Sequence, residues 1–254
     1  NSPEYVRMLS ALPENLRRAY RYGDWNALSG AYFSEFSEAA HVTEPFAIPR
    51  GWRRYRAFDY GLDMLACLWV AVDPEGRCYV YREARKPGLV ATEAARLIRE
   101  HTLPGEDIEA TFAPPDIWSR QKDSGRTMAE LFLESGVPIV RADSSRVQGH
   151  MMIKEMLRPD ASGRPKLLLF STCRGLIRDL AAIQADEENP NDCAREPHEV
   201  THSVDALRYF CVSRTLRGEE GQGETAGWDE DGADYDAFMT GGSELPGLLG
   251  YMGF

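Results

Sequence analysis

The amino-acid sequence predicts an α/β domain on a mixed β-sheet, with three antiparallel strands first and strands alternating with helices afterwards. Two observations support this class. Three β-rich segments follow one another closely, and the turn-forming tetrapeptide DPEG, from Asp73 to Gly76, separates the second from the third. After Pro87 the hydrophobic period becomes helical, and strand-like and helix-like segments then alternate along the chain.

Each element can be justified in chain order. The strands of the opening meander are expected in residues 54–61, 64–72 and 77–85. Apolar residues at helical spacing in residues 89–101 predict the first long helix. The later strands are expected in residues 108–116, 137–143 and 165–170, and the later helices in residues 125–136, 147–157, 173–184 and 201–216. Two adjacent prolines end the first of these later strands, and Gly136 is a natural C-cap for the helix before it.

Composition limits the class of protein. The chain has 254 residues, of which 43% are hydrophobic, enough for one large domain with a buried core. It contains no apolar run of about eighteen residues, so no membrane span is expected. Five cysteines without a CxxC motif predict a reduced, cytosolic protein. Because the chain begins with Asn1 and not with Met, we expect a piece of a longer product.

The net charge of -11 is concentrated at one end of the chain. Residues 218–254 carry nine acidic residues and no Lys or Arg, which leaves 31 acidic against 29 basic residues in 1–217. A nearly neutral body permits a local basic groove for a phosphate backbone. The Gly- and Asp-rich end is expected to be a flexible acidic tail, and residues 1–50 are expected to be a connector.

Three acidic residues stand where a metal site could form. Asp59 ends the first strand, Asp116 ends the fourth strand, and Asp205 lies at the side of the last long helix, close to Thr201 and Arg208. Clustered carboxylates repel one another unless divalent cations lie between them, and Mg²⁺ and Mn²⁺ prefer such oxygen ligands. Each acid alone could instead be a turn residue or a surface charge. Their shared placement at element ends favours the metal-site interpretation.

A competing motif overlaps the last helix. The segment HEVTH, from His198 to His202, matches the H-E-x-x-H pattern in which two histidines bind zinc and Glu199 acts on the bound water. Glu220 or Glu224 could supply a third ligand. Pro197 directly precedes the motif, so the motif is expected to start its helix and not to lie inside it. The zinc-peptidase interpretation is therefore the weaker alternative.

The order of strands, helices and acids resembles the ribonuclease H-like nuclease fold, and the motifs resemble the C-terminal nuclease domain of a tailed-phage terminase large subunit. The resemblance covers most of the chain. It is carried by PENLRRAYRYGDWNALSGAYFSEF, by FDYG, by APPDIWSRQKDSGRTMAELFLESGVPIVRADSSRVQG and by THSVDALRYF. The last two segments are the most specific.

The resemblance implies a divalent-metal-dependent endonuclease in which Asp59, Asp116 and Asp205 coordinate two Mg²⁺ or Mn²⁺ ions and cut double-stranded DNA during genome packaging. It further implies a portal protein and a small terminase subunit as partners, in the cytoplasm of an infected or lysogenic bacterial host. The nuclease domain would span residues 51–217. The sequence contains no G-x-x-x-x-G-K-[ST] motif, so the ATPase domain of such a protein is expected to be missing from this chain.

Several further residues are secondary candidates. Glu83 could join the metal cluster or pair with Arg85, and His202 could orient Asp205 or a scissile phosphate. Phosphate contacts are expected from basic residues in or beside loops after the acidic strand, namely Lys122, Arg126, Arg146 and Lys154. A second hypothesis is a docking module with weak nuclease activity, whose acidic tail binds the portal or another packaging component.

Overall fold

The computed structural model describes residues 30–61, 63–121, 125–189 and 191–220. Seven strands in these residues form a single sheet. They are β1 (Val42–Thr43), β2 (Arg53–Tyr60), β3 (Leu65–Val72), β4 (Cys78–Lys86), β5 (Ala110–Ala113), β6 (Val140–Arg141) and β7 (Leu167–Phe170). Their order across the sheet is β1-β7-β4-β3-β2-β5-β6.

The sheet is mixed. The strands β2, β3 and β4 form an antiparallel meander, while β5 pairs with β2, β6 with β5, β7 with β4 and β1 with β7, all in parallel. All eight residues of β3 are buried, because this central strand is covered on both faces. The carboxyl end of β2 therefore lies beside the carboxyl end of the parallel strand β5, where acids from different parts of the chain can meet.

Six helices flank the sheet within the described residues. They are α1 (Glu38–His41), α2 (Ala91–Glu100), α3 (Met128–Glu134), α4 (Arg146–Leu157), α5 (Arg174–Ala182) and α6 (His202–Glu220). Alternate side chains of β2 point to opposite faces. Phe58 and Tyr60 pack on Phe132 of α3, whereas Tyr55 packs on Phe210 of α6. Helix α6 crosses β2 and β3, and α4 and α5 lie beside it on the same face.

Residues 30–50 are part of the folded domain, although residues 1–50 were expected to be a connector. Tyr32 and Phe33 are buried in the core, and the Tyr32 hydroxyl donates a hydrogen bond to the carbonyl of Asn191. The strand β1 extends the sheet beyond β7. Tyr32 and Phe33 also pack against the ring of His150 on α4, so this segment belongs to the core.

The predicted order of strands and helices is confirmed from residue 53 onward. Gly136 has φ of +79°, the left-handed conformation of a C-cap. The strand expected in residues 137–143 is reduced to Val140–Arg141, and β1 has no counterpart among the predictions. All five cysteines are buried. Among the described residues, no helix is long and apolar enough to cross a membrane.

Candidate active site

Three separate elements bring the predicted acids to one end of the sheet, where the carboxyl ends of β2 and β5 lie side by side. Asp59 is the penultimate residue of β2, Asp116 lies in the 3-10 turn Pro115–Trp118 directly after β5, and Asp205 lies in the first turn of α6. The charges of Asp205 and Asp116 both help to raise the pKa of Asp59. The predicted acids therefore lie close enough together to repel one another.

Asp59 is largely withdrawn from solvent. Burial is the main cause that raises its pKa, and its side chain is 17% exposed. Its Oδ2 lies 2.7 Å from Nδ1 of His202, which donates when that nitrogen carries the proton. Although burial alone would lower the pKa of His202, the hydrogen bond to Asp59 and the charges of Asp59 and Asp63 raise it overall. The histidine thus holds the carboxylate with a charge-assisted hydrogen bond.

Asp205 is surrounded by permanent cations. Nε of Arg208 donates to its Oδ1 at 2.8 Å, and Nη1 of Arg146 lies 3.3 Å from the same oxygen. Arg208 lies one turn along the same helix, and α4 packs closely on it at a glycine: a Cβ on Gly149 would lie 2.4 Å from Cγ of Arg208. Close helix packing therefore sets the position of the arginine and, through it, of the acid.

A buried polar cluster lies behind Asp205. Arg146 donates through Nε to Asp192 at 2.9 Å and through Nη2 to the thiol sulfur of Cys193 at 3.2 Å. His150 is fully buried, with Nδ1 3.0 Å from Asp192 and Nε2 3.9 Å from Asp205. Burial, reinforced by the charges of Arg146 and Arg208, lowers the pKa of His150 to about 4. This ring is consequently neutral near pH 7.

Solved structures share this fold. The nuclease domain of the P22 large terminase aligns with a TM-score of 0.59 at 20% identity, covering 74% of this chain and 93% of that one. The chain has the fold of a phage large-terminase nuclease domain. No protein-family model and no curated protein matches the sequence.

Two further terminase structures show the same fold. The large terminase of a thermophilic bacteriophage, in complex with ADP, aligns with a TM-score of 0.59 at 15% identity, over 80% of this chain and 52% of that chain. This chain therefore spans about half of that protein. The nuclease domain of the large terminase from bacteriophage SPP1, with bound Mn, aligns with a TM-score of 0.50 at 18% identity, over 70% and 97% of the two chains.

The H-E-x-x-H segment does not lie inside a helix in this terminase-nuclease fold. His198–Val200 form a 3-10 turn and α6 begins at His202, as Pro197 predicts. The third partner of the two histidines is Asp63, which was not among the predicted ligands. Glu220, suggested for that role, is eighteen residues along α6 from His202, a helical rise of about 27 Å. The other suggestion, Glu224, lies outside the described residues.

Glu83 does not pair with Arg85, and a metal role for Glu83 stays a prediction. Its two carboxylate oxygens accept hydrogen bonds from the backbone N–H groups of Gly175 and Leu176, at 2.6 and 2.9 Å. It therefore binds the N-terminal end of α5, where a negative charge is favourable. Arg85 instead donates to Asp179 at 2.7 Å. His202 likewise contacts Asp59 and not Asp205.

The basic residues expected to contact phosphate have protein partners where they are described. Arg126 forms an ion pair with Glu134 on α3, and Nζ of Lys154 lies 3.6 Å from the ring centre of Tyr32. Arg146 contacts Asp205, and its side chain is 23% exposed. Lys122 lies outside the described residues. DNA contacts by these four residues stay a prediction.

Four residues around the acids escaped the sequence analysis: Asp63, Gly149, His150 and Asp192. Their signals are weak, because a loop aspartate, a helical glycine and a histidine within an apolar helix are each common in proteins without a site. Arg208 was placed beside Asp205 by helical spacing alone, and the structure confirms this neighbour. Only residues that share a helix could be paired in advance.

Proposed function

We propose that this chain is a divalent-metal-dependent endonuclease that cuts double-stranded DNA, with Asp59, Asp116 and Asp205 as the metal ligands. The observation that carries the proposal is the meeting of these acids from β2, the turn after β5 and α6, where the charges of Asp205 and Asp116 add to the burial that raises the pKa of Asp59. Hard oxygen donors of this kind fit Mg²⁺ or Mn²⁺. The fold shared with phage terminase nuclease domains supports it.

The surrounding residues prepare these carboxylates for cations. His202 occupies Oδ2 of Asp59 and Arg208 occupies Oδ1 of Asp205. These hydrogen bonds fix the orientation of the two carboxylate groups. Asp116 is exposed and can approach a substrate from the open side of the cluster. Two bound ions would supply an activated water and stabilise the leaving oxygen of a phosphodiester. We therefore assign the three acids the role of holding cations against a DNA backbone.

The biological setting follows from the same resemblance. We infer that duplex DNA is the substrate and that the cleavage serves genome packaging in the cytoplasm of a bacterial host. A portal protein and a small terminase subunit would be the protein partners. The nuclease domain would include residues 30–50 as well as 51–217, since the former pack into the same sheet.

The test is cleavage of supercoiled plasmid by the full chain with Mn²⁺, Mg²⁺ or no metal. We expect cutting only with metal, and a loss of at least about a hundredfold in Asp116→Asn, because a neutral amide is a weaker ligand than a carboxylate. The matched control is Asp107→Asn, an exposed loop aspartate away from the cluster, which should cut like the wild type. A folded protein that fails to cut the plasmid with each of the metals tested would contradict the proposal and favour the docking role.

A further inference from the structure

A second cluster of metal-ligating side chains lies beside the carboxylate site. The loop after β2 contributes Asp63, and the segment before α6 contributes His198, with His202 completing the set. Nδ1 of His198 and Nε2 of His202 lie 3.1 and 3.0 Å from the same atom, Oδ2 of Asp63. Asp116 and Asp205 are not members of this set, so it is chemically distinct from the oxygen-only cluster.

The spacing of these atoms suits a tetrahedral transition-metal ion. Zinc bonds to histidine nitrogen and carboxylate oxygen of about 2.0–2.1 Å place neighbouring ligand atoms about 3.3 Å apart. The separations of 3.0 and 3.1 Å from Asp63 are within a few tenths of an ångström of that value. All three ligand atoms lie within 4.8 Å of one another. Small rotations of exposed side chains would complete the site, because His198 and Asp63 are 60% and 57% exposed.

The outer contact of His202 is the second observation that points to a metal. Histidines that bind metals usually donate their other ring N–H to a carboxylate, which fixes the tautomer and turns the free nitrogen toward the ion. Nδ1 of His202 is 2.7 Å from Asp59, which leaves Nε2 directed at Asp63. The second group of candidate ligands, His150 with Asp192 and Cys193, is buried. It leaves no room for a cation, since the guanidinium of Arg146 already contacts Asp192 and Cys193.

We propose that Asp63, His198 and His202 bind one zinc-like transition-metal ion, separate from the ions of the nuclease site, with a fourth position open to water. The ion would join the loop after β2 to the start of α6 across two exposed side chains. It would also hold His202 on Asp59 and so stiffen one wall of the carboxylate site. Nitrogen ligands select zinc or cobalt over Mg²⁺.

The experiment measures metal binding by the full chain in excess Mg²⁺, which competes for the oxygen-only site. We expect about one Zn²⁺ bound per chain by equilibrium dialysis, with Co²⁺ giving a visible absorption band at the same stoichiometry. His198→Ala and Asp63→Asn should each weaken Zn²⁺ binding at least about tenfold and lose the cobalt band, since each removes one of three ligands. Zn²⁺ should raise the Tm of the wild type and not that of His198→Ala.

Two matched variants keep the outcome decisive. Glu199→Gln removes the exposed acid of the same segment and should bind Zn²⁺ like the wild type. Asp116→Asn impairs the nuclease site and should bind Zn²⁺ equally well, so failure of the proposed nuclease activity and failure of this site are distinguishable. Zn²⁺ affinity that is unchanged in His198→Ala, or lost in Asp116→Asn, would overturn the proposal.

Discussion

Asp59 and Asp205 approach the same cluster from opposite sides, and their surroundings differ in kind. Asp59 is desolvated and faces a titratable partner, His202, whereas Asp205 faces Arg208 and Arg146. Guanidinium groups keep their charge over the whole accessible pH range, and an imidazole does not. The two acids, although equivalent in the proposed chemistry, therefore differ in how the fold stabilises their charge.

The largest effect expected is on cleavage, where both acids should matter equally. Asp59→Asn and Asp205→Asn each replace a charged ligand by a neutral one, so each should lower plasmid cleavage in Mn²⁺ at least about a hundredfold. Initial rates on supercoiled plasmid measure this, with circular dichroism as a control for folding. Wild-type rates in either folded variant would remove that acid from the metal site.

Stability without metal should separate the same two variants. Asp59→Asn relieves repulsion and burial of charge, so its free energy of unfolding should be unchanged or higher. Asp205→Asn removes the carboxylate that Arg208 and Arg146 share, and Arg208 is only 5% exposed. The free energy of unfolding is therefore expected to fall by about 2 kcal/mol. Urea denaturation in EDTA measures both. Equal losses of stability would show that the two surroundings do not differ as described.

The two histidines next to the acids should respond to pH in opposite directions. The pKa of His150 is lowered to about 4, so the unfolded chain binds more protons and this group makes stability rise from pH 4 to about 6.5. A shift of this size corresponds to on the order of 3 kcal/mol. The measurement is the pH dependence of unfolding in EDTA for the wild type and His150→Gln, which should lack this slope.

The contribution of His202 to stability changes with pH in the opposite direction. Its pKa is raised in the folded state, so its contribution is complete below about pH 6.5 and is lost as pH rises through the folded value. The metal-free wild type should therefore lose stability above about pH 6.5 relative to His202→Gln. A wild-type curve parallel to that of the variant in this range would contradict the Asp59 contact as the source of the shift.

A smaller effect is expected where α4 meets α6. Gly149→Ala places a methyl group against Cγ of Arg208, and relief of that contact must move the arginine or the helix. We expect a loss of about 1–2 kcal/mol and cleavage reduced by roughly tenfold through displacement of Asp205. Gly163→Ala is the control variant. Gly163 has a φ of +77° and no neighbour within 4 Å, so a Cβ there adds backbone strain without a steric clash. Full cleavage by Gly149→Ala would separate Arg208 from the positioning of Asp205.

The smallest effect is expected from Glu199→Gln. Glu199 is exposed in the turn before α6, and its carbonyl, not its carboxylate, accepts the hydrogen bond from Arg85. Plasmid cleavage should stay within about twofold of wild type, since surface substitutions of this kind change stability by at most about 0.5 kcal/mol. A large loss would revive the general-base role of the H-E-x-x-H motif.

Most strands and helices, and the element ends near which Asp59, Asp116 and Asp205 stand, could be predicted from the sequence, whereas the short edge strand β1 could not. These features depend on hydrophobic periods and turn residues within about ten positions, so local sequence patterns are enough to predict them. The same local rule paired Arg208 with Asp205, three residues away on one helix. The meander and the following alternation also suffice to indicate a mixed sheet.

The long-range partners of those acids could not be predicted without the packed fold. His202 meets Asp59 across 143 positions of sequence and Arg146 meets Asp205 across 59, so no local pattern could pair them. Glu83 accepts hydrogen bonds from the backbone N–H groups of Gly175 and Leu176 at the start of α5, 92 and 93 positions away in the sequence. The side chains that set the charge and orientation of this site come together because the sheet and helices pack, and that packing is a property of the whole chain.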